Sequence, residues 1–165
     1  MKKTLVLCFA LVLASVVAMA QDAAVVPPAD QKFVNFPGLP TCVKGAVLHG
    51  DPMGDKGAVL MLKATAGCLI PWHWHTSTEQ LGMVSGSSKL EMKGGPAKTL
   101  TPGTYVYLPS KHQHQFTCST ACSLFLATEA KFDIHYVDST GKEISPEEAL
   151  KTKSGGAAKK AAPKK

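Results

Sequence analysis

The sequence predicts an all-β domain, a sandwich or barrel of short antiparallel strands. Three observations carry that prediction. Between Lys32 and Val137, apolar and β-branched runs of four to seven residues recur, and turn-forming clusters bound them: Gly50-Asp51-Pro52, Gly54, Gly67, Gly94-Gly95-Pro96 and Pro102-Gly103. No segment in that region carries a convincing helical period. The length of 165 residues suits about one domain, and 45% hydrophobic residues are enough for a packed core, which excludes wholesale disorder.

Taken in order, residues 1–20 read as a signal peptide: Lys2 and Lys3 precede an apolar run from Leu5 to Val17, and Ala18-Met19-Ala20 suits cleavage before Gln21. The run is shorter than the roughly 20 residues of a bilayer span, and no later segment is long and apolar enough for one. A mature chain that is exported, periplasmic or secreted, is therefore expected. Residues 21–31 read as an N-terminal linker and residues 32–138 as the barrel. Candidate strands are Ala46–His49, Ala58–Ala64, Glu79–Val84, Ser88–Met92, Thr104–Leu108, His114–Cys118, Ser123–Thr128 and Phe132–Val137. Residues 139–150 form a short helical segment, because Ser145-Pro146-Glu147-Glu148 is a capping box with proline at the first helical position. Residues 151–165 are a Lys/Ala-rich tail expected to be disordered.

Eight of the 18 cations lie in the two end segments, leaving ten against all 12 acids in residues 21–150, a net of −2. The body is not basic, so no nucleic-acid partner is expected. The tail is either a solvated end or a contact for an anionic envelope surface. Four cysteines follow the cleavage point, Cys42, Cys68, Cys118 and Cys122. An oxidising compartment permits disulfides, and four cysteines allow three pairings. Cys118 and Cys122 flank a three-residue turn between strand-like runs and are the best candidates for a bridge; Cys42 and Cys68 pair or stay as buried thiols.

The chemistry-bearing segment is Gly67 to Gly86. On a strand His73 and His75 face one side and Trp74 the other, and after a break at Thr76-Ser77-Thr78 a neighbouring strand opens with Glu79. Two imidazoles and a carboxylate suit a divalent transition metal, and a fourth ligand has to come from elsewhere. Downstream, Gly103 to Cys118 supplies a strand, a turn and His114 at the opening of the next strand.

The first segment reads G, five residues, H-x-H, three residues, E, six residues, G, and so resembles the first motif of the cupin superfamily residue for residue. The second resembles the second cupin motif at Gly103, Pro109 and His114 and departs from it twice. Lys111 stands where that motif has glycine, and Cys118 where it has asparagine. The resemblance implies a small single-domain jelly-roll barrel holding one divalent metal (iron, manganese, zinc, nickel or copper) through His73, His75, Glu79 and His114. Leu81, Met83 and Phe116 fall on the inward parity as apolar pocket walls. His112, Tyr105 and Tyr107 are the candidates for proton transfer or oxyanion contact, and Lys111 a candidate for an anionic group; surface or core roles are the alternatives for each. Trp72 and Trp74 have the opposite parity and suit a homodimer interface, or they are covered within one chain. Two functions stay open. One is a metal-dependent enzyme on a small organic substrate, its reaction an oxygenase, decarboxylase, isomerase or hydrolase type. The other is a non-catalytic metal- or small-ligand-binding module of the cell envelope.

Overall fold

The computed structural model describes residues 23–151; the expected signal peptide and nearly all of the Lys/Ala-rich tail lie outside the described residues. Short apolar-polar alternation and frequent turns produce strands rather than helices: β1 (Val43–Gly50), β2 (Ala58–Ala64), β3 (Leu69–Trp74), β4 (Glu79–Ser85), β5 (Ser88–Met92), β6 (Lys98–Leu100), β7 (Tyr105–Leu108), β8 (His114–Cys118), β9 (Cys122–Thr128), β10 (His135–Val137) and β11 (Glu143–Ile144). They form two antiparallel sheets, of order β1-β2-β9-β4-β7 and β11-β10-β3-β8-β5-β6. This is a jelly-roll arrangement, in which two sheets bury their inner faces against each other. The expected linker holds one 3-10 turn, Pro28–Asp30. None of the described helices is long and apolar enough to cross a membrane.

Inward residues alternate along each strand. Leu60 and Leu62 on β2, Leu81 and Met83 on β4, Phe116 and Cys118 on β8, and Leu124 and Leu126 on β9 all belong to one buried cluster. The register sets these side chains opposite one another: Leu81 faces Leu126, Met83 faces Leu124, and Leu60 faces Leu126. Such pairs stabilise the sheet they share, and burial of this inner face against Leu90, Phe116 and Cys118 of the other sheet is the main favourable term holding the two sheets together.

Beyond shifts at strand ends, the largest of which starts β1 at Val43 instead of Ala46, the structure differs from the sequence expectation in four places. Strands β6 and β11 were not expected; they are three and two residues long and too short to show a period. β11 falls within the expected helical segment, and the helix itself, α1, runs Pro146–Lys151 with Glu148 N–H donating to Ser145 Oγ at 3.2 Å, the anticipated cap. The expected strand at Phe132–Val137 begins only at His135, because Phe132 and Ile134 leave the sheet to line the interior cavity. Finally, β3 and β8 shift register between Ile70 and His73. Pro71 lies in that bulge, a position that suits a residue with no N–H to give to the ladder.

Both cysteine pairs are bridged, Cys42 to Cys68 and Cys118 to Cys122. The first ties the residue before β1 to the residue before β3, and the second closes the β8–β9 turn.

Candidate metal centre

The two sheets bring four donor side chains into one interior. His73 on β3 lies directly across from His114 on β8. His75 sits one residue past the end of β3, and Glu79 opens β4 in the opposite sheet. All four are buried, between 2% and 5% exposed. The ligand nitrogens of His73, His75 and His114 lie within 4.8 Å of one another. Glu79 reaches the same point, with Oε1 3.5 Å from His75 Nε2 and Oε2 3.3 Å from His114 Nε2.

Each ring is pinned from behind by a main-chain carbonyl. His73 Nδ1 donates to Pro71 O at 2.6 Å, His114 Nδ1 to His112 O at 2.9 Å, and His75 Nδ1 to Asp133 O. These contacts assign the proton of each neutral ring to Nδ1, so each Nε2 turns a lone pair into the cavity. Acceptors then face acceptors. His75 Nε2 and Glu79 Oε2 are buried without a hydrogen-bond partner, an arrangement that costs free energy unless a cation satisfies it. Three imidazole nitrogens and a carboxylate therefore fit a divalent transition metal, with backbone carbonyls fixing ring orientation behind it.

The electrostatics of the metal-free site point the same way. Burial, then the neighbouring His114 and His75, push His73 well below its ordinary value of 6.5, which keeps it neutral. For Glu79, burial by itself raises the carboxyl, while His75 and His114 in their protonated forms more than offset it and hold the group below 4.5; a bound cation would act on Glu79 in the same direction. Neutral imidazole and ionised carboxylate are the forms that bind metal.

The remaining expected site residues divide. Leu81 and Phe116 line the cavity, whereas Met83 is buried in the core away from it, accepting a weak hydrogen bond from Ser88 Oγ at 3.5 Å. Tyr105 and Tyr107 correct the sequence reading. Both are on the outer face of β7, 63% and 52% exposed, because Leu108 and Val106 hold the inward parity. The Tyr105 hydroxyl donates to Gln80 Oε1 at 3.0 Å instead of to a ligand. His112 and Lys111 belong to the β7–β8 turn and are not on the cavity lining. Lys111 nonetheless does what a glycine would do there: it takes the left-handed conformation, φ 62°, and its N–H donates to His75 O at 2.8 Å. Cys118 is fully buried in its disulfide. Trp72 and Trp74 are half-buried, and Trp74 stacks on His135 at 4.0 Å.

Sequence reasoning missed the β9–β10 loop. Phe132 packs on the His75 ring at 5.2 Å. Asp133 offers its carbonyl to His75 and its Oδ1 to the Thr76 N–H at 2.8 Å, while Oδ2 lies 3.2 Å from His135 Nε2. The contact to His75 is made by backbone, 58 residues away in sequence, so no side-chain pattern announces it. Tyr136 was also missed; it is buried, with its ring 6.0 Å from that of His73, and its hydroxyl donates to Gly38 O at 2.8 Å.

A family model described as the ChrR cupin-like domain matches residues 21–131, and the chain belongs to that family. Dimethylsulfoniopropionate lyase DddQ of Ruegeria pomeroyi is 33% identical over 67 residues, 40% of this chain and 33% of that protein. The alignment thus spans about a third of that relative's length. The polyketide cyclase RemF of Streptomyces resistomycificus superimposes with a TM-score of 0.61 at 18% identity, over 71% of this chain and 87% of that one. An RmlC-like cupin from Ralstonia eutropha gives 0.60 at 19% identity, over 82% and 89%. At these identities the two structures establish a shared fold.

Proposed function

We propose that this member of the ChrR cupin-like family is an exported, metal-dependent enzyme acting on a small organic substrate. One observation carries the reading: three imidazoles locked with Nε2 inward and one carboxylate converge in a buried cavity where two of their acceptor atoms have no partner. His73, His75, His114 and Glu79 would hold a divalent transition metal. Bound there, it would supply Lewis acidity and coordination positions left open to substrate or water. The chain's own residues do the rest. The carbonyls of Pro71, His112 and Asp133 keep the rings from turning, and the apolar walls keep bulk water from the reacting atoms, which strengthens every electrostatic contact inside. The lyase DddQ, by its name an enzyme, supports a catalytic reading of this chain. Two disulfides support an oxidising compartment and hence export, with Gln21 as the first mature residue. A homodimer through Trp72 and Trp74, and contact of the cationic tail with anionic envelope surfaces, belong to the same proposal.

A second reading, a non-catalytic metal- or ligand-binding module, is favoured by a specific observation. Among the described residues, the cavity lining holds no titratable or hydroxyl side chain besides the four candidate ligands, and catalysis usually needs such a group within reach. Elemental analysis of the mature protein, with His75→Ala as control, tests the site. Stoichiometric transition metal in the wild type and its loss in the variant are expected, and equal, negligible metal in both would overturn the assignment. Turnover across a panel of small organic acids and carbonyl compounds separates the enzyme from the module.

A further inference from the structure

We infer that the exogenous ligand of this site is a small amphipathic molecule, with an oxygen-bearing head that reaches the metal and a short, uncharged hydrocarbon body. The inference rests on the metal reading proposed above. It comes from the composition and size of the cavity. Of the sixteen side chains lining it, four are the candidate metal ligands, and the other twelve carry only carbon, or in Cys68 a disulfide sulfur. Leu39, Val43, Leu81, Phe116, Leu126 and Phe132 are among these apolar walls. Among the described residues, no lysine, amide or alcohol side chain lines the cavity to receive a distal carboxylate, hydroxyl or phosphate. The two lysines nearest in sequence to the histidine motifs, Lys89 and Lys111, are directed elsewhere: Lys89 pairs with Glu91 at 2.9 Å, and Lys111 is exposed on its turn.

A polar group on the body of a ligand would thus be stripped of water and offered nothing in return, a penalty that selects against it. Polar atoms are tolerated only at the end that meets the metal and Glu79. Size narrows the class further. The cavity volume is about 30 Å³, counted at the centres of water molecules, which is room for two or so waters. A ligand that displaces them is small, so sugars, nucleotides and polyols are excluded by volume as well as by chemistry.

The test uses the mature chain loaded with cobalt(II), read by the visible absorption of the bound ion rather than by activity. The probes are 2-oxobutanoate and hydroxypyruvate. They share one metal-binding head and the same number of heavy atoms, and differ in a terminal methyl against a hydroxyl. We expect 2-oxobutanoate to perturb the spectrum with an affinity about tenfold or more above that of hydroxypyruvate. Phe132→Ala, which shortens a wall residue on a loop rather than in a sheet, should admit 2-oxohexanoate, which the wild type rejects. If cobalt does not bind, the metal assignment itself falls. If cobalt binds with the expected loss in His75→Ala, the inference is overturned by either of two outcomes: hydroxypyruvate binding as tightly as 2-oxobutanoate, or neither acid altering the spectrum.

Discussion

Replacing Asp133 by alanine asks whether the β9–β10 loop holds a metal ligand in place from outside the coordination shell. The carbonyl of Asp133 receives His75 Nδ1–H, but its position depends on the side chain, which is tied to the Thr76 N–H at 2.8 Å and lies 3.2 Å from His135. A hydrogen bond to a charged acceptor contributes about 1.5–3 kcal/mol when sheltered. Asp133 is 29% exposed at its side chain, so the lower end of that range applies, and the pair with His135 adds no more than about 1 kcal/mol. The variant should lose roughly 2 kcal/mol of stability. Thr76 and His135 hold Asp133 below its ordinary 3.8 against the upward push of burial. Its contribution is therefore fully present above that value and is lost only on acidification, so the comparison belongs near neutral pH. Freed from its anchor, His75 should bind metal about 10- to 100-fold more weakly, measured by chelator competition. Asp133→Asn keeps an acceptor for Thr76 and should recover most of the affinity. An alanine variant that unfolds more easily yet binds metal within about twofold of wild type would refute the reasoning, because His75 would then be oriented by β3 alone.

Three further outcomes follow from individual contacts. His135 is pulled down by burial but raised above 6.5 overall by Glu143 and Asp133. Its pairing therefore stabilises the fold fully below that value and ceases to do so as pH rises through the raised one. Urea denaturation should show wild type ahead of Glu143→Gln by up to about 1 kcal/mol near pH 5.5 and level with it near pH 9; a difference independent of pH would count against the pair. Lys111→Gly removes a side chain from φ 62°, where the strain of about 1–2 kcal/mol exceeds the entropy added to the unfolded chain. The variant should melt at the same temperature or a few degrees higher, and a clear loss of stability would mean that the lysine makes a contact of its own. By loop length, removing the Cys42–Cys68 bridge, with its separation of 26, should cost about 3.5 kcal/mol, and removing Cys118–Cys122, with its separation of 4, about 2 kcal/mol. Equal losses in the two double-alanine variants would show that native-state packing, rather than chain entropy, sets their value.

Legibility in the sequence followed the range over which each cause acts. The period of two placed β2, β5 and β8 at their observed bounds and put His73 on an inward face, because strand parity is a local property of the backbone. The capping box placed the start of α1 at Pro146 for the same reason, although the helical segment expected around it began too early, at residue 139. Parity failed at Tyr105 and Tyr107. Their spacing shows that they share a face, but only the pairing of Glu79 with Leu108, and of Gln80 with Tyr107, says which face is inside.

The amino-acid order alone decided that the chain is a strand-rich single core with four donors at metal-compatible spacing. Those facts depend on residue type and on neighbours a few positions away. Folding in three dimensions decided which cysteines join, which way each imidazole turns, and what surrounds the donors. Those depend on partners far off in the chain: Cys42 meets Cys68 only once β1 and β3 are set, and the loop at Asp133 reaches His75 only after β10 docks beside β3. A carbonyl looks alike at every position in a written sequence, so its role as an anchor exists only in space.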